Sequence, residues 1–329
     1  MARRLASIGL LLLIAVTPAM AGGRAEGEID RPEYPIDIVA TTGMIADIVH
    51  QIAAPHGAVH GLMGAEVDPH LYRPTRADIA RMQAADLIFY NGLMLEGRMG
   101  DTLVQLARAR PVYAVTELID ESLLLEDEDY EEAFDPHVWM DVSLWMEAVE
   151  AVATVLSDFD PENASAYRRN ADRYLRELDE LDRYVREVVS TIPVERRVLV
   201  TAHDAFGYFG EAYGLEVVGV QGISTESEAG LEDINRLVDF TVERNITAVF
   251  AETTVPDRAL QAVMEGAAAR GHLIFIGGEL YSDAMGPAGT YEGTYIGMIE
   301  HNALTIVRAL GGTVPDDGFR GRLAHADAQ

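Results

Sequence analysis

Residues 161–192 read PENASAYRRNADRYLRELDELDRYVREVVSTI, a stretch with no glycine and no proline after its first residue. Tyr167, Tyr174, Leu178, Leu181 and Val185 recur at spacings of three, four and seven with charges between them, the pattern of an amphipathic helix. Asp160 is placed to cap its start, and Pro161 suits the first helical position. A helix of about thirty residues is ~45 Å long at 1.5 Å per residue. A flexible linker would instead be short and rich in glycine or serine. The spacing therefore predicts a stiff strut that permits only limited opening and closing of what it joins.

What it joins is legible on both sides. Before it, strand-like YPIDIVATT (34–42), an apolar run at 57–64, DLIFYNG (86–92) and PVYAVTEL (111–118) alternate with helical GMIADIVHQIA and with helical segments at about 75–84 and 95–109. After it come RRVLVTAHD (196–204), LEVVGVQG (215–222), NITAVFAET (245–253) and HLIFIGG (272–278), separated by helical segments, and a last helix from about 291 to 310. Strands rich in valine and isoleucine that alternate with helices predict βαβ units and a mostly parallel sheet. The expected fold class is α/β, with two lobes, each a mostly parallel sheet flanked by helices, joined by one long backbone helix. The expected boundaries are 1–21 for a signal peptide, 22–160 for the first lobe, 161–192 for the linking helix, 193–311 for the second lobe and 312–329 for a loose tail.

The signal peptide is read from Met1-Ala-Arg-Arg, an apolar run from Leu5 to Val16 and small residues at Ala19 and Ala21. The run is shorter than the ~20 residues a spanning helix needs, so an exported, periplasmic protein is expected, with an uncleaved signal anchor as the alternative. A formal charge of −29, from 54 acids and 25 bases that are all arginine, argues against nucleic acid as a partner. The chain has no cysteine. That excludes disulfides, thiolate metal sites, a cysteine nucleophile and a lipid-modified cysteine anchor.

Any metal site must then use histidine, carboxylate or backbone oxygen. Of nine histidines, three have unusual neighbours: His70 in EVDPHLYRPT, His137 in FDPHVWMD and His203 in VTAHDAFGYFG. Two share the tripeptide Asp-Pro-His, whose proline biases the aspartate to extended backbone. His203 follows the apolar run VLVT and so ends a strand, where parallel α/β sheets bind ligands. Asp283, in GGELYSDAMGPAG, follows another buried strand. Three imidazoles and a carboxylate suit zinc, iron, nickel, copper or manganese. His70 and His137 belong to the first lobe, His203 and Asp283 to the second, so such a metal would bridge the cleft. The plain alternative for each histidine is a hydrogen-bonded structural role. That role is assigned to His50, His56, His60, His272, His301 and His325.

Other motifs are missing or plain. There is no GxSxG elbow, no GxGxxG after the first strand and no P-loop. The acidic run at 126–132 lacks the glycine of a calcium-binding loop and reads as solvated. Trp139 and Trp145 read as packing residues, and Glu252, after AVFA, as a support for the site or a partner of an arginine.

Taken together the motifs resemble the cluster A-I solute-binding proteins of ATP-binding-cassette importers for manganese or zinc, especially their TroA-type branch. The resemblance lies in DPHLYRPT (68–75), NGLMLEGRMG (91–100), DPHVWMDVSLW (135–145), AHDAFGYFGEAYG (202–214), QGISTESEAG (221–230) and GELYSDAMGPAGTYEGTYIGMIEHN (278–302). It implies that His70, His137, His203 and Asp283 bind the metal, as Zn2+ or Mn2+ in transit. It also implies two lobes on one long helix that shift only modestly on release. Manganese-dedicated relatives often carry glutamate where His203 stands, which favours zinc. Zinc-dedicated relatives usually carry a histidine-rich loop before the second Asp-Pro-His; here that stretch is acidic, which favours a broader site.

The expected function is thus a monomeric periplasmic receptor, not an enzyme, that hands a divalent metal to a membrane permease and its ATPase. The rival is a zinc-dependent hydrolase at the same residues, against which stands the fourth protein ligand, since catalytic zinc usually keeps one position for water. A surface adhesin, a role some family members are named for, has no support in the residues.

Overall fold

Hydrophobic runs and helical periods alternate along the chain, and the computed structural model follows that alternation through residues 34–127 and 133–322, the residues it describes. The expected signal peptide, positions 128–132 of the acidic run and positions 323–329 lie outside them. The described residues all belong to one unit, Pro32–Gln329.

The first lobe runs β1 (Ile36–Ala40), α1 (Gly43–Ala53), β2 (Gly57–Gly61), α2 (Arg76–Ala84), β3 (Leu87–Tyr90), α3 (Gly100–Leu106) and β4 (Val112–Ala114). Next come α4 (Val142–Phe159) and α5 (Ala164–Ser190). The second lobe runs β5 (Val198–His203), α6 (Gly207–Tyr213), β6 (Glu216–Gln221), α7 (Leu231–Glu243), β7 (Ala248–Glu252), α8 (Arg258–Ala269), β8 (Phe275–Leu280) and α9 (Tyr295–Ala309). Strand order is β2-β1-β3-β4 in one sheet and β6-β5-β7-β8 in the other, and every strand pair is parallel. The chain steps to one side of β1 or β5 and then crosses to the other. Each sheet therefore has a switch point, between β1 and β3 or between β5 and β7, the place where such sheets bind ligands at their carboxyl ends. The two lobes repeat a topology without repeating a sequence.

Helix starts follow local chemistry. Thr75 and Asp78 form a reciprocal capping box at α2, Asp141 caps α4 through the amides of Ser143 and Leu144, and Thr294 caps α9. The helix expected at 95–109 is shorter and split, with a 3-10 turn at Gly97–Met99 leading into α3.

The strut is α5, about 40 Å long. Its buried stripe, Tyr167, Ala171, Tyr174, Leu178, Leu181, Val185 and Val188, packs against α1, α4 and α9. It starts later than expected. Asp160 does not cap it but closes α4, with its carboxylate accepting from Tyr34 Oη, Tyr167 Oη and Asn163 Nδ2. A turn at residues 161–163 intervenes, and Asn163, bonded to the Asp160 carboxylate, takes the N-cap position.

One apolar core runs through both lobes, from Ile38 and Phe89 past Trp139, Trp145, Tyr174 and Leu181 to Phe250, Ile299 and Val307. Separate clusters lie under α2 and α3 and under α7 and α8. A shared core of this kind resists relative motion of the lobes. The expectation of a loose tail fails for residues 312–322. Phe319 is buried against Tyr184 of α5, its amide donates to Glu300, and Arg320 pairs with Glu177 and Glu180. A buried ring, a backbone bond and an ion pair to α5 thus fasten a segment that has no periodicity of its own.

Candidate metal centre

The sheets present their carboxyl ends to one another, and the loops that leave them carry the candidate residues. His70 lies in the loop between β2 and α2, and His137 immediately precedes a 3-10 turn at Val138–Met140. His203 is the last residue of β5, and Asp283 lies just beyond β8. All four are buried, and one ligand atom from each lies within 4.8 Å of all the others. His70 Nε2 is 3.3 Å from His137 Nε2. Asp283 Oδ1 is 3.3 Å from His137 Nε2, and its Oδ2 is 3.3 Å from His203 Nε2 and 3.8 Å from His70 Nε2. A tetrahedron of metal bonds 2.0–2.1 Å long has edges of about 3.3–3.4 Å. Three of these separations match such an edge, two of them to different oxygens of Asp283, and the whole set lies within 4.8 Å.

Burial without outside partners points the same way. His203 Nε2 and both oxygens of Asp283 are buried and have no partner outside the cluster, facing only its other members, so their polarity is directed at one shared point. Burial pulls the His70 imidazole down to about 3, so it is neutral and can donate its lone pair. Burial also works to lower His137, but Asp135, by charge and hydrogen bond, and then Asp283 outweigh it and hold it raised at about 9. His203 is likewise driven well above its ordinary value, against burial, by Glu252 and Asp283. Burial would raise Asp283, yet His203 and His137 keep it well below the carboxylate range. Protons on two imidazoles thus balance the carboxylates around them, and a divalent cation could replace those protons.

A second layer aims these rings. Asp135 Oδ1 accepts from the His137 backbone amide at 2.9 Å and lies 2.7 Å from its Nδ1. Glu252 holds His203 in the same way, as the support role predicted for it requires, and no arginine pairs with it among the described residues. Such outer carboxylates fix the tautomer that leaves Nε2 free for a metal. His70 is held differently. Asp68 Oδ1 accepts its backbone amide at 2.8 Å, but among the described residues no carboxylate other than Asp283 lies on its ring. Both Asp-Pro-His tripeptides are thus Asx turns. The repeated aspartate two residues before each histidine was the signal for this, beyond the proline effect.

Trp139, fully buried as expected of a packing residue, has a further part. Its Nε1 donates to the carbonyl of Ser282 at 2.9 Å, which ties the His137 turn to the Asp283 loop. Glu96 was missed altogether. It is buried at the switch point of the first sheet, accepting from Thr41 Oγ1 at 2.6 Å and from the amides of Asn91 and Gly92. Asn91 in turn donates to the carbonyl of Pro136, beside His137.

The remaining histidines stay apart from the cluster. His60 pairs with Asp37, His272 contacts the Ile246 carbonyl and His301 the Glu279 carbonyl. His50 ends α1 and His56 packs between Tyr34 and Tyr167. His325 lies outside the described residues. No second group of ligand-type side chains converges among the described residues.

Comparison with known proteins agrees with this architecture. Residues 38–309 match the family model described as zinc-uptake complex component A, periplasmic. The zinc-binding protein TroA of Treponema pallidum is 50% identical over 273 residues, 83% of this chain and 88% of that protein. The manganese-binding lipoprotein MntA of Bacillus subtilis is 43% identical over 298 residues, 91% of this chain and 97% of that one. The solved structure of the periplasmic zinc-binding protein TroA superposes with a TM-score of 0.81 at 48% identity, covering 85% of this chain and 99% of that chain. With its paired parallel sheets, its strut and its buried cluster of three histidines and an aspartate, the chain belongs to the family of periplasmic zinc-uptake component A proteins.

Proposed function

We propose that this protein is an extracytoplasmic receptor that captures a divalent transition metal, zinc or manganese, between His70, His137, His203 and Asp283. It then delivers the ion to the permease of an ATP-binding-cassette importer. One observation carries the reading: four buried donors whose ligand atoms lie within 4.8 Å of one another, with His203 Nε2 and both Asp283 oxygens facing only the cluster. Relatives named for zinc and for manganese support either ion as cargo. The donor set suits both, since Asp283 turns one oxygen towards His137 and the other towards His203. One oxygen completes a four-ligand shell for zinc; both supply the additional oxygen donor that manganese favours.

The hydrolase alternative is not supported. A catalytic metal keeps a position open for water, whereas here four protein donors surround a buried point, and the relatives are named as binding proteins. The receptor works without catalysis and as a monomer, its lobes spanning 22–160 and 193–311. Unlike relatives named as lipoproteins, it has no cysteine to carry a lipid. Export then rests on the signal at 1–21, cleaved to release a periplasmic protein or retained as an anchor. No helix among the described residues is long and apolar enough to cross a membrane.

Metal content by mass spectrometry on untagged, unchelated protein tests this reading, followed by competition between zinc and manganese. About one ion per chain, with exchange between the two, is the expected result. Zinc that excess manganese cannot displace would make the receptor zinc-specific, and absence of any metal would overturn the proposal.

A further inference from the structure

The four candidate ligands are not held alike. His137, His203 and Asp283 form one platform tied across the lobes by buried bonds: Trp139 Nε1 to the Ser282 carbonyl, Tyr295 Oη to the Trp139 carbonyl at 2.8 Å and Tyr208 Oη to the Asp135 carbonyl at 2.9 Å. His70 arrives from the β1–β4 part of the first lobe. Among the described residues, two side-chain-to-side-chain hydrogen bonds join residues 36–114 to the second lobe, beside the bond from the Tyr295 amide to the Asp47 carboxylate and the packing of α1 on α9. Asp68 Oδ2 accepts from Thr225 Oγ1 at 2.7 Å, and Arg98 Nε donates to Glu226 Oε1 at 2.9 Å.

Both bonds end on neighbouring residues of a single loop, 222–229, which follows β6. Thr225 is nearly buried, and its aspartate partner is the one whose other oxygen holds the His70 amide. The hydroxyl of Thr225 therefore reaches the His70 backbone through one carboxylate. Open clefts of about 360, 450 and 600 Å³ border the loop, the smallest lined also by His70. Sparse packing is what allows a segment to open ahead of the fold around it.

We propose that loop 222–229, fastened by Thr225 to Asp68 and by Glu226 to Arg98, is a latch that controls metal release. When it lifts, His70 leaves the metal first and the ion stays on the three-ligand platform, ready to be passed on. This inference rests on the receptor reading above. Thr225 is a positioning residue, since it touches neither the metal point nor the His70 ring.

The test is the rate at which the zinc-loaded full chain gives up its metal to an excess of chelating dye in a stopped-flow instrument. Thr225→Val keeps the shape and removes the hydroxyl. It should release zinc about tenfold faster, the scale of losing one hydrogen bond to a charged group, with one zinc per chain still bound. Thr225→Ser should restore the wild-type rate to within about twofold. Glu226→Gln changes an exposed side chain and cannot disturb the core; it should speed release two- to threefold at low salt, with the gain gone at 1 M salt, where exposed ion pairs are screened. Full zinc loading with both the Thr225→Val and Glu226→Gln rates unchanged overturns the latch and leaves the receptor reading standing. Thr225→Ser releasing as fast as Thr225→Val also overturns it, because packing and not the hydroxyl would then be responsible. A wild-type chain that binds no zinc overturns the receptor reading, and the latch with it.

Discussion

The Glu252 carboxylate holds His203 twice: Oε1 accepts the backbone amide at 2.8 Å, and Oε2 lies 2.5 Å from Nδ1 of the ring. One side chain at the end of β7 thereby fixes both the position and the tautomer of a residue at the end of β5. The two strands flank the switch point of the second sheet, so topology alone brings them together. Asp135 does the same for His137 from two residues away in sequence.

Replacing Glu252 with glutamine keeps the size and removes the charge. The amide nitrogen would face either the His203 amide or its Nδ1 proton, so one of the two bonds is lost and the ring is less basic. Zinc affinity should fall ten- to a hundredfold, the usual effect of losing an outer carboxylate. Competition titration against a chelating dye checks this, and an unchanged affinity would show that Glu252 serves the fold alone.

His70 is the candidate ligand whose replacement separates metal binding from stability. Its ring has no carboxylate partner apart from Asp283, so His70→Ala strands no additional buried charge. Zinc binding should weaken by at least about a hundredfold, while the metal-free melting temperature stays within a few degrees of wild type. His203→Ala differs, because it leaves the buried Glu252 with the backbone amide but without its charged ring partner. Breaking a buried pair from one side costs about 3–5 kcal/mol, so that variant should lose both metal and stability. Paired titration and thermal melts distinguish the two.

These contrasts show which parts of the molecule could be read in the sequence. The central strands were legible because parallel strands buried on both faces need unbroken runs such as VLVT and AVFA, whereas edge strand β8, expected to be buried, is largely exposed. The strut was legible because nothing in 164–190 interrupts a helix. The four candidate ligands stood out because each follows a strand or shares the Asp-Pro-His turn. Glu96 did not, since a lone glutamate in NGLMLEG reads as solvent-facing; only the return of the chain to β1 and β3 shows that Thr41 and Asn91 need an acceptor there. Asp160 was misassigned for the same reason, as Tyr34 and Tyr167 claim it from outside its own helix.

Phe319 makes a third case of partners remote in sequence, and it can be weighed. Its ring is buried beside Tyr184, while its amide meets Glu300 on the helix that follows the Asp283 loop. Phe319→Ala should cost about 3 kcal/mol, as for other buried aromatic truncations, and lower the urea midpoint accordingly. Since Glu300 also accepts from Tyr291, the loop between Asp283 and α9 should exchange its amide protons faster in the variant. Stability and exchange equal to wild type would mean that residues 312–322 add nothing to the fold.

The sharpest test of the site's electrostatics is its pH dependence with and without metal. In the metal-free chain His137 is raised to about 9, chiefly by Asp135 and Asp283 working against burial, and His203 is likewise held well above its ordinary value by Glu252 and Asp283. A group whose folded value lies above its unfolded value of ~6.5 stabilises the fold fully below that value and loses its contribution as pH rises through the folded one. The metal-free protein should therefore lose stability between about pH 6.5 and 9. Metal binding has the opposite sign, because the ion must displace those protons. Zinc affinity should climb across the same window by roughly tenfold per pH unit for each proton displaced. Calorimetry at pH 7 in buffers of different ionisation enthalpy should then show protons leaving as zinc binds. A heat of binding independent of buffer would mean that both imidazoles are already neutral, and that Asp135 and Glu252 orient the rings without charging them.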